Sequence, residues 1–522
     1  MLKFSPSINN KLLFKATLIY VSLPTILFFG GWLKLQWSLP LLTILVYLFY
    51  KAFAGENKNI DEKSTITPGA ILTIIGIAGY IAFSTGAGGM VEQSYNYVYD
   101  NIKLYDLIVN PWPVLYPEKQ AFYCYYFGFY LPIALATKLS SNLNYAEFFS
   151  FIWAWGGVVL CVFWVYLLLR VRYTWMVLVF LLAGTLCTAT TVFNTLDWKF
   201  LRAVEDFSYP YTFLSTWWSG GKQILDTSVP FHCSLKYAST MTTMAWGPYH
   251  YISGILFPSM VYYQIVSRKT MGALPLIAGA ALIWSPFVVL GLVPLVLIGV
   301  WRYTRQLFTL DTVLAIILFL PFVFYFGAHS TSEEMVRGFI WECGKRWWLN
   351  YLFFVCIEVG LFSFAIFAHH KKYLTDDDYT IVKINIASLL LIPFIYLGFY
   401  NDFSNKVGIV PMFFLVITFS KVVCRILEDL ISQRSTFFSK ANFVSVCTLI
   451  LWCLCAITPL NIVLIPVTGH PGTGFRTNIA KPFDSDSIKN LSQIPIIGSQ
   501  FIGDVNAPAI KVLFRENGQQ KK

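Results

Sequence analysis

Residues 91–132 read VEQSYNYVYDNIKLYDLIVNPWPVLYPEKQAFYCYYFGFYLP, and the reading of this stretch decides the fold. It is rich in Tyr, Asn and Trp and carries four carboxylates, Glu92, Asp100, Asp106 and Glu118. Apolar runs flank it on both sides. A polar, aromatic loop set between such runs belongs at a membrane surface, where aromatic side chains lie at headgroup level. We read it as the first wall of an active site at the outer membrane–water interface.

Composition supports that frame. The 522 residues are 57% hydrophobic and only 12% charged, against about 25% charged in soluble domains. With a mean hydropathy of +0.61, so long a chain has more apolar surface than one soluble core can bury. The expected class is therefore all-α and polytopic in the membrane, since the apolar runs lack the alternation of a barrel. The net charge of +11 lies in small clusters between apolar runs, so it reads as topology and not as a nucleic-acid surface. Most of the ten cysteines lie in apolar runs, as small hydrophobes. Cys233 and Cys343 fall in loops placed outside, where a disulfide between them is possible. The basic, long apolar start reads as an uncleaved first span.

Lys3, Lys11 and Lys15 place the N-terminus inside. Working outward gives about thirteen spans of roughly 20 residues. They lie near 16–34, 39–54, 67–86, 148–169, 174–193, 247–266, 308–328, 349–368, 381–399, 407–423 and 443–463, with two short pieces inside 271–301 broken at Ser285-Pro286. The short pieces read as a tight hairpin. The segment 121–139 either crosses or is re-entrant; the non-crossing reading brings Arg170 and Arg172 to the cytoplasm. Residues 421–442 read as a cytoplasmic amphipathic segment. The organisation is then an N-terminal hairpin over 1–66, a transmembrane domain over 67–463 with external loops 87–147, 194–246 and 329–348, and an external tail over 464–522.

No nucleotide-binding loop, zinc-protease or nucleophile-elbow motif is present. Chemistry must then come from external acidic and basic residues. Asp100 and Asp106 lie six apart, about 240° around a helix, so they need not act together. One of them suits a general base; either also suits a helix cap or a partner for Lys103. In the second loop, Asp197, Lys199 and Arg202 suit substrate contacts, and Lys199, Arg202 and Lys222 suit a phosphate. Glu205 and Asp206 could hold a divalent metal through oxygen, or form a solvated turn. His250 stands at the outer mouth of a span; His232 is a weaker candidate. Lys345 and Arg346, beside Trp347 and Trp348, read as an aromatic belt or a lipid-phosphate clamp. Glu358 lies inside a span, where a carboxylate is a functional candidate by default. Asp402 sits in the external turn YNDFSNK.

Together these pieces form a pattern. NPWPV (110–114), YYFGFYLPIALATKL (125–139), TLDWKF (195–200), WGPYHYISG (246–254), WSPFVVLGLVP (284–294) and GFYNDFSNKVGIVP (398–411) follow one another from about residue 90 to about 415. Their order and spacing resemble GT-C fold membrane glycosyltransferases, in their bacterial branch. The resemblance requires an extra N-terminal hairpin. It implies a polyprenyl-phosphate-linked sugar donor, an external site at the bacterial inner membrane and direct transfer with inversion to an unidentified acceptor. It also implies an acidic base in the first external loop, here Asp100, then Asp106, then Glu92. Some members bind a divalent metal, Mg or Mn. Three competing classes remain open: a flippase or transporter for lipid-linked glycans, with Glu358 as its mid-membrane charge; an O-antigen-type polymerase or ligase; and a degenerate GT-C scaffold acting as a partner subunit.

Overall fold

The computed structural model describes residues 10–55, 67–94, 96–186, 233, 235–329, 336–345, 347–398, 401–432, 443–468, 478–480, 482, 490–493 and 498–515. Among them, eight helices are long and apolar enough to cross a membrane: Asn10–Trp32, Leu35–Ala54, Leu143–Leu169, Pro286–Gln306, Leu310–Gly327, Trp347–Tyr373, Ile409–Ser432 and Phe443–Leu464. Two shorter apolar helices, Pro68–Ser84 and Leu274–Trp284, accompany them. The chain is an all-α, multi-pass membrane protein.

The outer faces of these helices agree with that class. Leu310–Gly327 buries Ala315, Leu318, Phe322 and Tyr325 on one side, yet exposes Val313, Ile316, Leu320 and Val323 on the other. A helix that is apolar all round has lipid, not water, on its open side. Its start is set by Thr309, whose side chain caps the Thr312 amide.

The first helix is woven into the core. Trp164 donates to the Thr17 hydroxyl at 2.9 Å, Trp284 donates to the Val21 carbonyl at 2.8 Å, and Trp32 packs on Trp112. The Asn10–Trp32 helix thus works as a central post.

Several expected spans take other forms. Over 121–139 the chain makes a short strand, Ala121–Tyr123, then a helix, Tyr130–Ser140, of 11 residues. At 1.5 Å per residue that helix reaches about 16 Å, half of a hydrocarbon core of about 30 Å. The region expected as a span at 174–193 opens with a helix of only five residues, Val177–Leu181. At 381–399 the helix Asp376–Leu391 stops before Pro393, and Ile395–Leu397 becomes a strand paired with Arg337–Phe339. The break at Ser285 is real, a single extended residue between helices. The second piece, however, is 21 residues long and full length for a span. Finally, Ile409–Ser432 is one continuous helix, so residues 421–432 extend a span, while 433–442 of the expected amphipathic segment lie outside the described residues.

Polar groups gather at the two ends. At one end, ion pairs tie neighbouring helices together: Arg302 with Asp377 at 2.7 Å, Lys421 with Asp378 at 2.6 Å, and Lys372 with Asp429 at 2.8 Å. The other end holds the loops and the tail. There the strand Ile502–Asp504 joins Ala121–Tyr123 and Leu115–Tyr116 in a three-stranded sheet. Arg515 donates to the Leu33 carbonyl, locking the tail onto the first helical turn-around.

Candidate active site

The stretch quoted first folds, from Asn96 to Val109, as a helix lying under the tail. Asp100 and Lys103 are one turn apart on it, and their side chains meet at 2.8 Å with only 5% and 4% exposure. Four aromatic faces surround the Lys103 ammonium: Tyr125 at 4.7 Å, Phe501 at 5.2 Å, Tyr249 at 5.6 Å and Tyr130 at 6.0 Å from the ring centres. Rings offer their negative faces to a cation, which offsets part of its lost hydration. Burial still dominates and holds the Lys103 pKa below the usual lysine value, although Asp100 pulls the other way.

A second pair stands beside the first. Asp402 and Lys406 are a turn apart on the short helix Asp402–Val407 and meet at 3.1 Å. This pair is more open, with side chains 31% and 16% exposed. Gly398, with φ of +83°, leads into the turn; a Cβ there would come within 3.0 Å of the Asp402 carboxylate. Burial acts against the Lys406 ammonium, but Asp402, the Tyr125 phenol and Asp100 outweigh that and raise its pKa.

Two tyrosines join the pairs. Lys406 donates to the Tyr126 hydroxyl at 3.0 Å, Tyr125 donates to the same hydroxyl at 2.6 Å, and the two rings stack at 3.9 Å. Lys406 also faces the Phe287 ring at 5.6 Å. The helix break at Ser285 is what delivers Phe287 to this place. His250 enters from the first turn of the helix Pro248–Tyr262, started by extended Gly247 and by Pro248. Its ring lies 4.1 Å from Tyr249 and 5.9 Å from Tyr126. Its Nδ1 is buried and has no hydrogen-bond partner among the described residues.

Asp100, Lys103, His250 and Asp402, four of the residues expected from sequence, therefore converge from three distant segments. Asp106 has a different job. Its carboxylate is fully buried and accepts from the Tyr116 hydroxyl at 2.7 Å and the Leu491 amide at 3.0 Å. Burial lifts its pKa to about 6, and those two donors moderate the rise. Glu92 is half-buried, and Glu118 accepts from Gln493 in the tail. Lys345 is exposed and shares none of these contacts. Glu358 is buried in the middle of the Trp347–Tyr373 helix, with Tyr237 and Cys455 as electrostatic neighbours. Asp197, Lys199, Arg202, Glu205, Asp206, Lys222, His232 and Arg346 lie outside the described residues.

Cys233 and Cys343 form a disulfide, which ties the approach to the Thr240–Trp246 helix to the end of the Arg337–Phe339 strand region. Among the described residues no three metal-binding side chains gather. The twin pairs also fit a divalent ion poorly, because each carboxylate already faces an ammonium that would repel it.

Sequence reading missed Lys406, Tyr125, Tyr126, Tyr249, Phe287 and Phe501. The four-residue spacing from Asp402 to Lys406 within DFSNK was the available signal for the lysine. Nothing local announces Phe501, which reaches the site only because the tail folds back. Chemically, the cluster offers two ammonium groups, two carboxylates, an imidazole and flat aromatic walls. An anion can settle on an ammonium, and a carboxylate so released can take a proton. Comparison with protein-family models, with curated proteins and with solved structures returned no match.

Proposed function

We propose that the chain is a GT-C-like membrane glycosyltransferase. On this reading it has about thirteen spans, its loop end faces outward from the bacterial inner membrane, its N-terminus is inside and its C-terminus outside. The disulfide at the loop end favours an oxidising outer compartment. The basic residues Arg170, Arg172, Arg268, Lys269, Arg302 and Arg305 between the other helix ends favour a cytoplasmic side there.

The observation that carries the proposal is the meeting of Asp100–Lys103, Asp402–Lys406 and His250 between tyrosine faces. The donor is a sugar on polyprenyl phosphate. An acceptor hydroxyl attacks the anomeric carbon, its proton passes to Asp100, and the bond from that carbon to the phosphate oxygen breaks with inversion. The phosphate leaves as an anion, which an ammonium in a dry site stabilises strongly. Tyr125, Tyr126 and Tyr249 offer faces for a sugar ring. A donor that arrives within the bilayer needs no nucleotide fold.

The test is transfer of labelled sugar from polyprenyl phosphate by the purified protein in nanodiscs, with Asp100→Asn as the variant. A flippase would move the labelled lipid across vesicles without changing it, and a degenerate scaffold would do neither.

A further inference from the structure

Asp106 spends only one of its two oxygens on the fold. Tyr116 and Leu491 both donate to Oδ2, while Oδ1 is buried with no hydrogen-bond partner among the described residues. Three more oxygens share that condition: Asp100 Oδ2, the Tyr123 hydroxyl and the Tyr130 hydroxyl. Asp100 uses its other oxygen on Lys103. A buried polar atom left open is costly, and a native fold keeps few of them. Here four adjoin one helix.

The backbone sets them in a row. Asp100 and Asp106 lie about 9 Å of rise and about 120° of turn apart on the Asn96–Val109 helix, and phenols of the next segment bridge that interval. Tyr130 stands beside Asp100. Its ring centre is 6.0 Å from the Lys103 nitrogen, which is 2.8 Å from Asp100, and Asp100 is the strongest charge acting on it. Tyr123 stands beside Asp106. Tyr116 pairs across the sheet with Ala121, so Tyr116 and Tyr123 share one face, and Tyr116 already touches Asp106. Asp106 is the strongest charge acting on Tyr123, and the Tyr123 and Tyr130 phenols act on each other. The order is Asp100, Tyr130, Tyr123, Asp106. Facing Asp106 are Tyr116, Tyr123 and the Leu491 amide. Charged groups of the same segments are engaged elsewhere, Lys138 with the Asn110 carbonyl, Lys119 with the Ser492 carbonyl and Glu118 with Gln493.

We infer that Tyr130 and Tyr123 pass the proton taken up by Asp100 on to Asp106, which holds it until the product has left. This rests on the functional reading above and adds its proton exit. Asp100 is buried, so a proton kept there would block the next turnover. The four oxygens make no direct hydrogen bond to one another, and a bridging water in each gap completes the chain. Each phenol or water gives its own proton forward and receives the one behind. One proton is conserved: it leaves the acceptor hydroxyl, ends on Oδ1 of Asp106 as a neutral acid, and later passes to water. Asp106 touches neither sugar nor phosphate, so it is a positioning residue for the proton.

Two measurements on the full chain in nanodiscs test this, with thermal unfolding of each variant to set aside any that misfolds. The first needs no sugar. Infrared difference spectra are expected to show a carboxylic acid band that grows as pH falls through about 6 and is missing in Asp106→Asn. Tyr123→Phe shifts the frequency of that band, because the acid loses its link to the phenol. A band that both Tyr123→Phe and Tyr130→Phe leave in place overturns the inference. The second is transfer of labelled sugar from undecaprenyl phosphate against pH. Wild-type kcat is expected to fall as pH drops through about 6, since Asp106 is then already protonated. Tyr123→Phe, Tyr130→Phe and Asp106→Asn each lower kcat by about tenfold or more with KM within about twofold. Asp106→Asn also loses the acid limb, and Asp106→Glu restores part of it. Tyr116→Phe, which removes a donor from the carboxylate, moves the limb to higher pH. An Asp106→Asn variant with wild-type kcat and pH profile overturns the inference. If the infrared shifts appear but wild type transfers no sugar, the glycosyltransferase reading fails and the proton connection between the two carboxylates stands.

Discussion

The Leu491 amide donates to the Asp106 carboxylate at 3.0 Å, although 385 positions separate them. With Tyr116 on the same oxygen, this contact fixes the tail against the loop helix. One carboxylate oxygen of Asp106 thus serves the fold as an anchor for the tail.

That contact gives a pH prediction. The native Asp106 pKa of about 6 lies above the ordinary aspartate value of 3.8. The native chain therefore holds more protons than the unfolded chain between those values, and this group's contribution to stability falls as pH rises through the window. Above it the penalty amounts to about 3 kcal/mol at most. Asp106→Asn removes the buried charge and keeps an acceptor for Leu491. Thermal unfolding in detergent is expected to show the variant more stable than wild type at pH 8, with a gap that narrows towards pH 5. A gap that widens on acidification contradicts the assignment.

The buried Asp100–Lys103 pair predicts strong coupling. Lys103→Met leaves a buried carboxylate without its counter-ion, which costs about 3–5 kcal/mol. Adding Asp100→Asn to Lys103→Met recovers much of that loss. A double-mutant cycle by denaturant unfolding reads the coupling. Simple additivity of the two changes would show that the pair is solvated, not sealed.

How much of this was legible in advance depends on range. Lipid-facing helices were readable because every segment such as Leu310–Gly327 carries its own apolar run. The cluster was half readable. Asp100, Lys103 and His250 stand out locally as polar residues in aromatic surroundings, whereas Phe501 acquires its place from a strand pairing with Ala121–Tyr123. Span boundaries shift where tertiary contacts end a helix early. Pro393 and the pairing of Ile395–Leu397 with Arg337–Phe339 convert the end of an apolar run into an edge of the loop end. In Ile409–Ser432 the opposite happened. Lys421 reads as a cytoplasmic marker, but its buried pairing with Asp378 lets the helix continue through it.

The disulfide predicts sidedness. In intact cells an impermeant maleimide is expected to label Cys233 and Cys343 only after reduction, without opening the membrane. Labelling that requires permeabilisation would put the loop end in the cytoplasm and remove the external site.

The proposed activity is lipid-phosphate-dependent sugar transfer at the Asp100 and Lys406 cluster. The most direct measurement is single-turnover transfer from radiolabelled polyprenyl-phosphate sugar to acceptors extracted from the cell envelope, by purified protein in nanodiscs. Wild type is expected to convert the donor, with Asp100→Asn slower by about a hundredfold or more, as loss of a general base produces. Wild-type protein that leaves every such donor intact, or an Asp100→Asn variant that turns over at the wild-type rate, would contradict the claim.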